Sequence, residues 1–170
     1  AEFAEVARAV PVPLSTGERL TTKAEFGALL RLGGVKILQP ALGRVGGIWE
    51  AKKIAAMAEV YNAEMAPHLY AGPVEWAANI HFAASIPNIL MAETIQTGGA
   101  FHLALIKNSI TWQDGYIIPS EAPGLGIDFD EDLARAHPYT GNGLHLQMQE
   151  APCDYRYGNR FEGGAPTAKT

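Results

Sequence analysis

The sequence predicts an α/β fold in which parallel strands alternate with helices and close as a barrel. The first observation is the alternation itself: compact apolar segments are separated by helical patterns, and successive strand ends lie roughly 22 to 28 residues apart. The second is that the strand segments are almost continuously apolar, which is typical of a sheet buried on both faces. The third is that no G-x-G-x-x-G or phosphate-binding loop follows any strand, which favours a barrel over a nucleotide-binding open sheet.

The first two predicted strands flank the first long predicted helix. The segment "AVPVPLSTGE" is a short apolar strand that ends in small and acidic residues. In "KAEFGALLRLGG" the apolar residues Phe26, Leu29 and Leu30 recur at helical spacing, and Gly33 with Gly34 provides the stop that helix C-termini favour. The segment "VKILQP" then predicts a compact apolar strand ended by proline.

The second half of this alternating series contains two predicted helices and two predicted strands. "GGIWEAKKIAAMAEVYN" predicts an amphipathic helix, and its apolar face consists of Ile48, Ala51, Ile54, Ala55 and Ala58. "EMAPHLY" is the next strand, and Pro73 is well placed near the start of the following helix, "PVEWAANIHFAASIPN". "NILMAETI" predicts the last strand of the series.

Composition limits the classes of function. The chain has 170 residues, is 48% hydrophobic and 18% charged, and carries a net charge of −5 without a basic stripe, which argues against nucleic acid as a partner. No apolar run approaches the roughly 20 residues of a membrane span, and no signal-peptide pattern opens the sequence. A single cysteine, Cys153, cannot form an internal disulfide framework. These features predict a soluble, cytoplasmic, globular chain.

Chemistry-bearing residues recur at the carboxyl ends of the predicted strands. These positions hold Glu18, then Ala41 after a Gln-Pro pair, then His68, then Glu93. Barrel enzymes place their active sites at this edge, and two carboxylates with an imidazole suit a metal or acid–base site. Each residue has a structural alternative, because a lone Glu can be solvated or cap a helix and a lone His beside a turn can be structural. Recurrence at equivalent positions favours function.

Five stretches carry a resemblance to a known family. They are "PVPLSTGERL", "VKILQPALGRVGGIWEAKKIAAMAE", "MAPHLYAGPVEWAA", "NILMAET" and "APGLGIDFDEDL", and they cover most of residues 1–135. The chain resembles the C-terminal half of the barrel of the enolase superfamily, in the mandelate racemase and muconate lactonizing enzyme branch that includes acid-sugar dehydratases. That family has an N-terminal capping domain and a (β/α)₇β TIM-like barrel.

The resemblance implies a division of the chain. Residues 1–135 would be strands five to eight of the barrel with a return segment, and residues 136–170 a polar tail. The capping domain and the first four barrel strands would lie outside this sequence. Because a half-barrel leaves open edges and an apolar face, we expect the other half in the same polypeptide or in a companion chain. We also expect a homo-oligomer.

The resemblance also implies a role for each candidate residue. Glu18 matches the third carboxylate ligand of a Mg²⁺ ion, which prefers hard oxygen ligands. His68 matches the histidine of the seventh strand, a general acid or base, and is a catalytic candidate. Glu93 matches the acid of the eighth strand, which binds the substrate carboxylate and helps hold the enediolate, so it is both a catalytic and a substrate-binding candidate. Arg19 is a candidate contact to a polar substrate.

One position departs from the family pattern. Family members often pair the histidine with an aspartate at the end of strand six, where this chain has Ala41. We therefore expect His68 to lack its usual carboxylate partner, which argues against two-base racemisation. The resulting interpretation is Mg²⁺-dependent dehydration of a sugar acid, an aldonate or aldarate, through an enediolate. The alternatives are a racemase or lactone cycloisomerase of the same superfamily, or a non-catalytic half-barrel that acts as an assembly partner.

Two further groups have structural interpretations. His81 falls within a predicted helix, where packing or a local hydrogen bond explains it. The acidic stretch from Asp128 to Asp132 is better explained as the cap of a helix than as a calcium site.

Overall fold

A computed structural model describes residues 2–94, 99–107 and 110–138 of the chain. The chain divides into two units, Ala1–His137 and Pro138–Thr170. The predicted tail, with Cys153, lies almost wholly outside the described residues, and its division from the barrel segment stays a prediction.

The order of elements follows the predicted alternation of strands and helices. The described helices are α1 (Glu2–Ala9), α2 (Lys23–Leu32), α3 (Leu42–Val45), α4 (Ile48–Val60), α5 (Pro73–Ala84), α6 (Gly99–Ala104) and α7 (Glu131–Ala136). The described strands are β1 (Leu14–Thr16), β2 (Val35–Leu38), β3 (Glu64–Met65), β4 (Thr111–Gln113) and β5 (Tyr116–Ile118).

Parallel strands form the central sheet, as predicted. The sheet has the order β1-β2-β3, and both pairings are parallel, with Thr16 opposite Leu38 and Leu38 opposite Met65. The alternation of α and β elements with parallel pairing is confirmed, whereas closure into a barrel stays a prediction.

The predicted fourth strand pairs with β3 at one position only among the described residues. "NILMAETI" was expected to form a strand, but among the described residues it makes a single parallel bridge, between Met65 and Ile89. Two backbone bonds secure it: Met65 donates to the Asn88 carbonyl at 2.8 Å, and Leu90 donates to the Met65 carbonyl at 2.8 Å. The segment therefore lies beside β3 in the predicted order without extending into a longer ladder.

Helix α2 begins and ends as its sequence predicts. Thr22 caps its N-terminus by accepting a hydrogen bond from the Glu25 backbone, and the Glu25 side chain accepts from the Thr22 backbone in return, forming a capping box. Hydrogen bonds to the carboxylate, led by the one from the Thr21 backbone and followed by those from Thr22, lower the pKa of Glu25 to about 2. Gly33 ends the helix at a φ of 75°.

The core lies where α2 and α4 pack with the sheet. Four of the five residues predicted for the apolar face of α4, Ala51, Ile54, Ala55 and Ala58, are each at most 1% exposed, and the fifth, Ile48, is partly buried against the same core. Its small alanines allow close packing, while larger fully buried side chains fill the space around them; these include Phe26, Leu38, Met65 and Phe82. Burying each of these larger side chains stabilises the fold by about 1.5–3 kcal/mol.

A hairpin follows the sheet. Strands β4 and β5 pair antiparallel around Asp114 and Gly115, whose φ angles are 51° and 84°. Asp-Gly is the preferred pair for such a turn, because both positions need a left-handed backbone. No helix within the described residues is long and apolar enough to span a membrane.

Candidate active site

A required glycine places Glu18 at the end of β1. Gly17 has a φ of 128°, and a Cβ atom there would lie 2.7 Å from Cε1 of the fully buried Phe26. Only glycine fits both the backbone and the space. The Leu20 backbone N–H donates to the Gly17 carbonyl at 3.0 Å and closes a turn, on which the Glu18 side chain is 52% exposed.

Backbone pairing continues past the strands and aligns their carboxyl ends. The Gln39 N–H donates to the Thr16 carbonyl at 3.0 Å, and the His68 N–H donates to the Pro40 carbonyl at 3.1 Å. Ala41 and His68 form a parallel bridge. The edge predicted from the sequence therefore exists, and it brings residues 41 and 68 side by side.

Glu93 is the hydrogen-bond partner of His68. Its Oε2 lies 2.8 Å from His68 Nδ1 and also accepts a 2.8 Å hydrogen bond from the Leu69 backbone N–H. The His68 side chain is 21% exposed and that of Glu93 is 45% exposed. Behind them, Asn79 of α5 is 2% exposed and donates from Nδ2 to the His68 carbonyl at 3.4 Å. His68 is thus held through its backbone carbonyl and through one nitrogen of its imidazole ring.

Glu18 and Arg19 extend the cluster towards solvent. Glu18 Oε2 lies 3.7 Å from His68 Nδ1, and Glu18 Oε1 lies 3.8 Å from Arg19 Nε. Both distances exceed hydrogen-bond length, so neither contact is a directional bond, and the contact between Glu18 and Arg19 is one of opposite charges. The Arg19 side chain is 89% exposed, which leaves its guanidinium open to a ligand. The structure therefore brings together all four residues named from the sequence.

The aspartate partner that the family pattern would place at position 41 is absent, as predicted, but His68 has another carboxylate partner. The residue at 41 is alanine, as the sequence requires, but the carboxylate comes from Glu93, 25 positions further along the chain. The physical reason is the alignment of the strand ends, which gives His68 neighbours from both directions. Strand order alone does not determine which side-chain rotamer turns a carboxylate towards the ring.

The described residues do not form a metal site by themselves. No group of three or more His, Cys, Asp or Glu side chains within residues 2–94, 99–107 and 110–138 is arranged to hold a metal ion. Glu18 offers one exposed carboxylate, a ligand type that Mg²⁺ prefers, whereas its neighbour His68 already has Nδ1 engaged by Glu93. Any magnesium site here requires ligands beyond these residues.

The structural interpretation of the acidic stretch is confirmed, and His81 makes a hydrogen bond that is long-range rather than local. His81 Nε2 lies 3.1 Å from the Leu125 carbonyl, a hydrogen bond that joins α5 to the later loop. Asp130 caps α7 by accepting from the Leu133 N–H at 2.9 Å. Sequence reasoning missed Asn79, although a polar residue inside the apolar pattern of α5 was a signal that could have identified it.

A family model matches nearly all the described residues, and the match includes Glu18, His68 and Glu93. The model described as "Enolase C-terminal domain-like" matches residues 1–133. The chain belongs to the enolase superfamily. Solved structures place it in the mandelate racemase and muconate lactonizing enzyme branch. A mandelate racemase/muconate lactonizing enzyme-like protein from Roseovarius sp. TM1035 is 73% identical with a TM-score of 0.79, over 91% of this chain and 38% of that one. The enzyme from Jannaschia sp. CCS1 is 52% identical with a TM-score of 0.78, over 85% and 37%.

Curated relatives in the enolase superfamily include dehydratases. The D-galactonate dehydratase of Ralstonia pickettii is 39% identical over 137 residues, which are 77% of this chain and 36% of the relative. The chain thus spans about a third of the length of the curated relatives it matches.

Proposed function

We propose that the protein dehydrates a sugar acid, an aldonate or aldarate, to a 2-keto acid. The observation that carries the proposal is the cluster of His68, Glu93 and Glu18 at the carboxyl ends of the strands. Such an edge is where barrel enzymes do their chemistry. The similarity to D-galactonate dehydratases supports dehydration among the reactions of the superfamily.

The reaction begins at the carbon beside the substrate carboxylate. A base removes the α-proton, and the electron pair of the broken C–H bond moves into the carboxylate to form an enediolate. Those electrons then expel the β-hydroxyl, which leaves as water after it takes a proton from His68. The resulting enol gains a proton at the β-carbon and loses the proton of its hydroxyl group, which gives the 2-keto acid. None of the residues assigned here is the α-proton base, and a lysine on the second barrel strand would suit that role.

This chain contributes the proton donor and polar contacts. His68 Nδ1 is engaged by Glu93, so Nε2 is the nitrogen that serves the leaving hydroxyl. Glu93 has a second carboxylate oxygen for contact with the substrate, and the exposed Arg19 provides a cation for its hydroxyl and carboxylate groups.

We include Mg²⁺ in the proposal because, when bound, it would supply positive charge that stabilises the enediolate. Glu18 would be one ligand, since its carboxylate is exposed at the same edge. The other ligands, the remaining barrel strands and the capping domain would come from outside these residues, in the same polypeptide or in a companion chain. A cytoplasmic location and a homo-oligomeric assembly are parts of the same proposal.

A substrate panel tests the function. The complete protein, with the polypeptide that supplies the remaining barrel strands, is incubated with Mg²⁺ and individual aldonates and aldarates, including D-galactonate, and 2-keto acid is measured as its semicarbazone. We expect one or a few sugar acids to be turned over, Glu18→Gln to abolish stimulation by Mg²⁺, and Glu64→Gln, at the opposite end of a strand, to preserve it. Exchange of the α-proton with solvent deuterium without keto acid would instead identify a racemase. Absence of both keto acid and exchange would contradict catalysis and favour an assembly partner.

A further inference from the structure

We propose that Glu93 is the positioning residue of His68 and takes the place of the aspartate that position 41 lacks. In this arrangement His68 donates its Nδ1–H to Glu93 Oε2 and keeps Nε2 available for proton transfer. The inference rests on the proposed function only for the identity of His68 as the proton-transfer residue. It adds to the substrate contact that the proposed function gives to the other carboxylate oxygen of Glu93.

The distances around Nδ1 select Glu93 over the other acidic neighbour. Glu93 Oε2 is at 2.8 Å, a normal hydrogen bond, whereas Glu18 Oε2 is at 3.7 Å, beyond hydrogen-bond range. Among the described residues, the carboxylates with an oxygen within 4.0 Å of a ring nitrogen of His68 are these two. A directional bond that can fix the orientation of the imidazole therefore comes from Glu93.

Glu93 is itself anchored independently of the imidazole. The Leu69 backbone N–H donates to the same Oε2 at 2.8 Å, and Leu69 is 2% exposed. Since a buried N–H is costly to leave unpaired, this bond holds the carboxylate oxygen in place. An oxygen that already accepts a backbone hydrogen bond is a fixed acceptor against which Nδ1–H can align.

Because residue 41 is alanine, the neighbouring strand offers no side-chain acceptor for the hydrogen bond from His68 Nδ1. Ala41 and His68 pair in a parallel bridge, so their side chains leave neighbouring strands roughly 5 Å apart on the same side of the sheet. An aspartate at 41 would place a carboxylate beside His68, whereas the methyl group of alanine forms no hydrogen bond. The carboxylate of Glu93 provides the hydrogen-bond acceptor instead, from the segment on the other side of His68.

The tautomer of His68 provides a test that needs no substrate. Side-chain ¹⁵N NMR of the full chain at alkaline pH, with the resonance assigned by His68→Asn, distinguishes the protonated from the unprotonated ring nitrogen. We expect Nδ1–H and bare Nε2 in the unsubstituted protein. In Glu93→Leu we expect the preference for Nδ1–H to be lost, because the acceptor 2.8 Å from Nδ1 is gone. Glu93→Gln should keep it, because an amide oxygen at the Oε2 position accepts from both Nδ1–H and the Leu69 N–H. An unchanged tautomer in Glu93→Leu, or Nε2–H in the unsubstituted protein, would overturn the inference.

Kinetics then separate positioning from substrate binding. Because Glu93→Gln removes the negative charge beside the His68 ring, it should lower kcat at least about tenfold, a part of the about 10²–10⁴-fold that a proton-transfer residue contributes, with KM little changed. Adding Ala41→Asp to Glu93→Gln should recover at least about tenfold of kcat, because a carboxylate again accepts from Nδ1. The control, Ala41→Asn with Glu93→Gln, has the same size without the charge and should recover nothing.

The two proposals fail in different ways. A rise in KM with kcat unchanged in Glu93→Gln, or equal rescue by Ala41→Asp and Ala41→Asn, would contradict the positioning role while leaving dehydration intact. Failure of the unsubstituted chain to turn over any sugar acid would contradict the proposed function, whereas the NMR result would still decide the role of Glu93.

Discussion

Replacing Gly17 with alanine is expected to destabilise the fold at the base of the active site. The backbone there has a φ of 128°, and the added Cβ would lie 2.7 Å from Phe26 Cε1, 3.3 Å from Phe26 Cζ and 3.4 Å from the Gln39 nitrogen. Phe26 is fully buried in the core and cannot swing away without displacing its neighbours.

Two costs add at this position. A non-glycine residue in this backbone region costs about 1–3 kcal/mol. Forcing a methyl group against a packed aromatic ring costs about another 1–3 kcal/mol. Gly17→Ala should therefore lower the free energy of unfolding by about 2–6 kcal/mol, a large share of the roughly 5–15 kcal/mol that holds a typical domain. The same shift would move Glu18, so activity should fall as well.

Gly33→Ala is the matched control for the space around the new methyl group. Gly33 also has a positive φ, 75°, but a Cβ there would meet no atom within 4 Å. Urea unfolding of the full chain should therefore show a loss of about 1–3 kcal/mol for Gly33→Ala and a larger loss for Gly17→Ala. Combining Gly17→Ala with Phe26→Leu should recover part of the difference, as a double-mutant cycle would measure. Equal losses at the two glycines, with no coupling to Phe26, would refute the packing argument.

Three further predictions concern the framework around the site. Thr22→Ala removes the cap of α2 and should lower the free energy of unfolding by about 1 kcal/mol in urea titrations, while an unchanged midpoint would contradict the capping role. Because the pKa of Glu25 is lowered from 4.5 to about 2, its stabilising contribution should be complete above pH 4.5 and decline as the pH falls towards 2. Glu25→Gln should reduce that pH dependence, and identical acid-unfolding curves would argue against it. Asn88→Ala removes the donor to the carbonyls of Ala55 and Ala63, at 3.1 and 3.2 Å, and should cost about 1–3 kcal/mol; a thermal midpoint equal to that of the unsubstituted chain would contradict this.

Local sequence patterns determined the elements that pack the core. The helical spacing of Phe26, Leu29 and Leu30 and the alanine-rich face of α4 were sufficient because each helix buries one continuous stripe. The edge of the site was also predictable, since parallel strands bring their carboxyl ends together. Strand length was less predictable: "NILMAETI" has the composition of a strand, yet ladder formation depends on partners that a local pattern does not contain.

Side-chain partners in the site were beyond what the sequence alone could provide. Family resemblance directed attention to the missing carboxylate at Ala41, whereas the hydrogen bond to His68 comes from Glu93 and depends on the Leu69 N–H that anchors it. The hairpin at Asp114 and Gly115 was missed although the Asp-Gly pair signals such a turn. The hydrogen bonds in the site depend on side-chain rotamers and on the positions of backbone N–H donors, and neither produces a periodic pattern in the sequence.

The measurement that tests the central claim most directly is the rate of 2-keto acid formation by His68→Asn. It would be made with full chains, Mg²⁺ and the sugar acid on which the unsubstituted protein is most active, with His81→Asn as the control for loss of a histidine outside the site. If His68 transfers the proton, kcat should fall by about 10²–10⁴-fold in His68→Asn and stay close to the original value in His81→Asn. A His68→Asn protein that retains its kcat within about twofold would contradict the account.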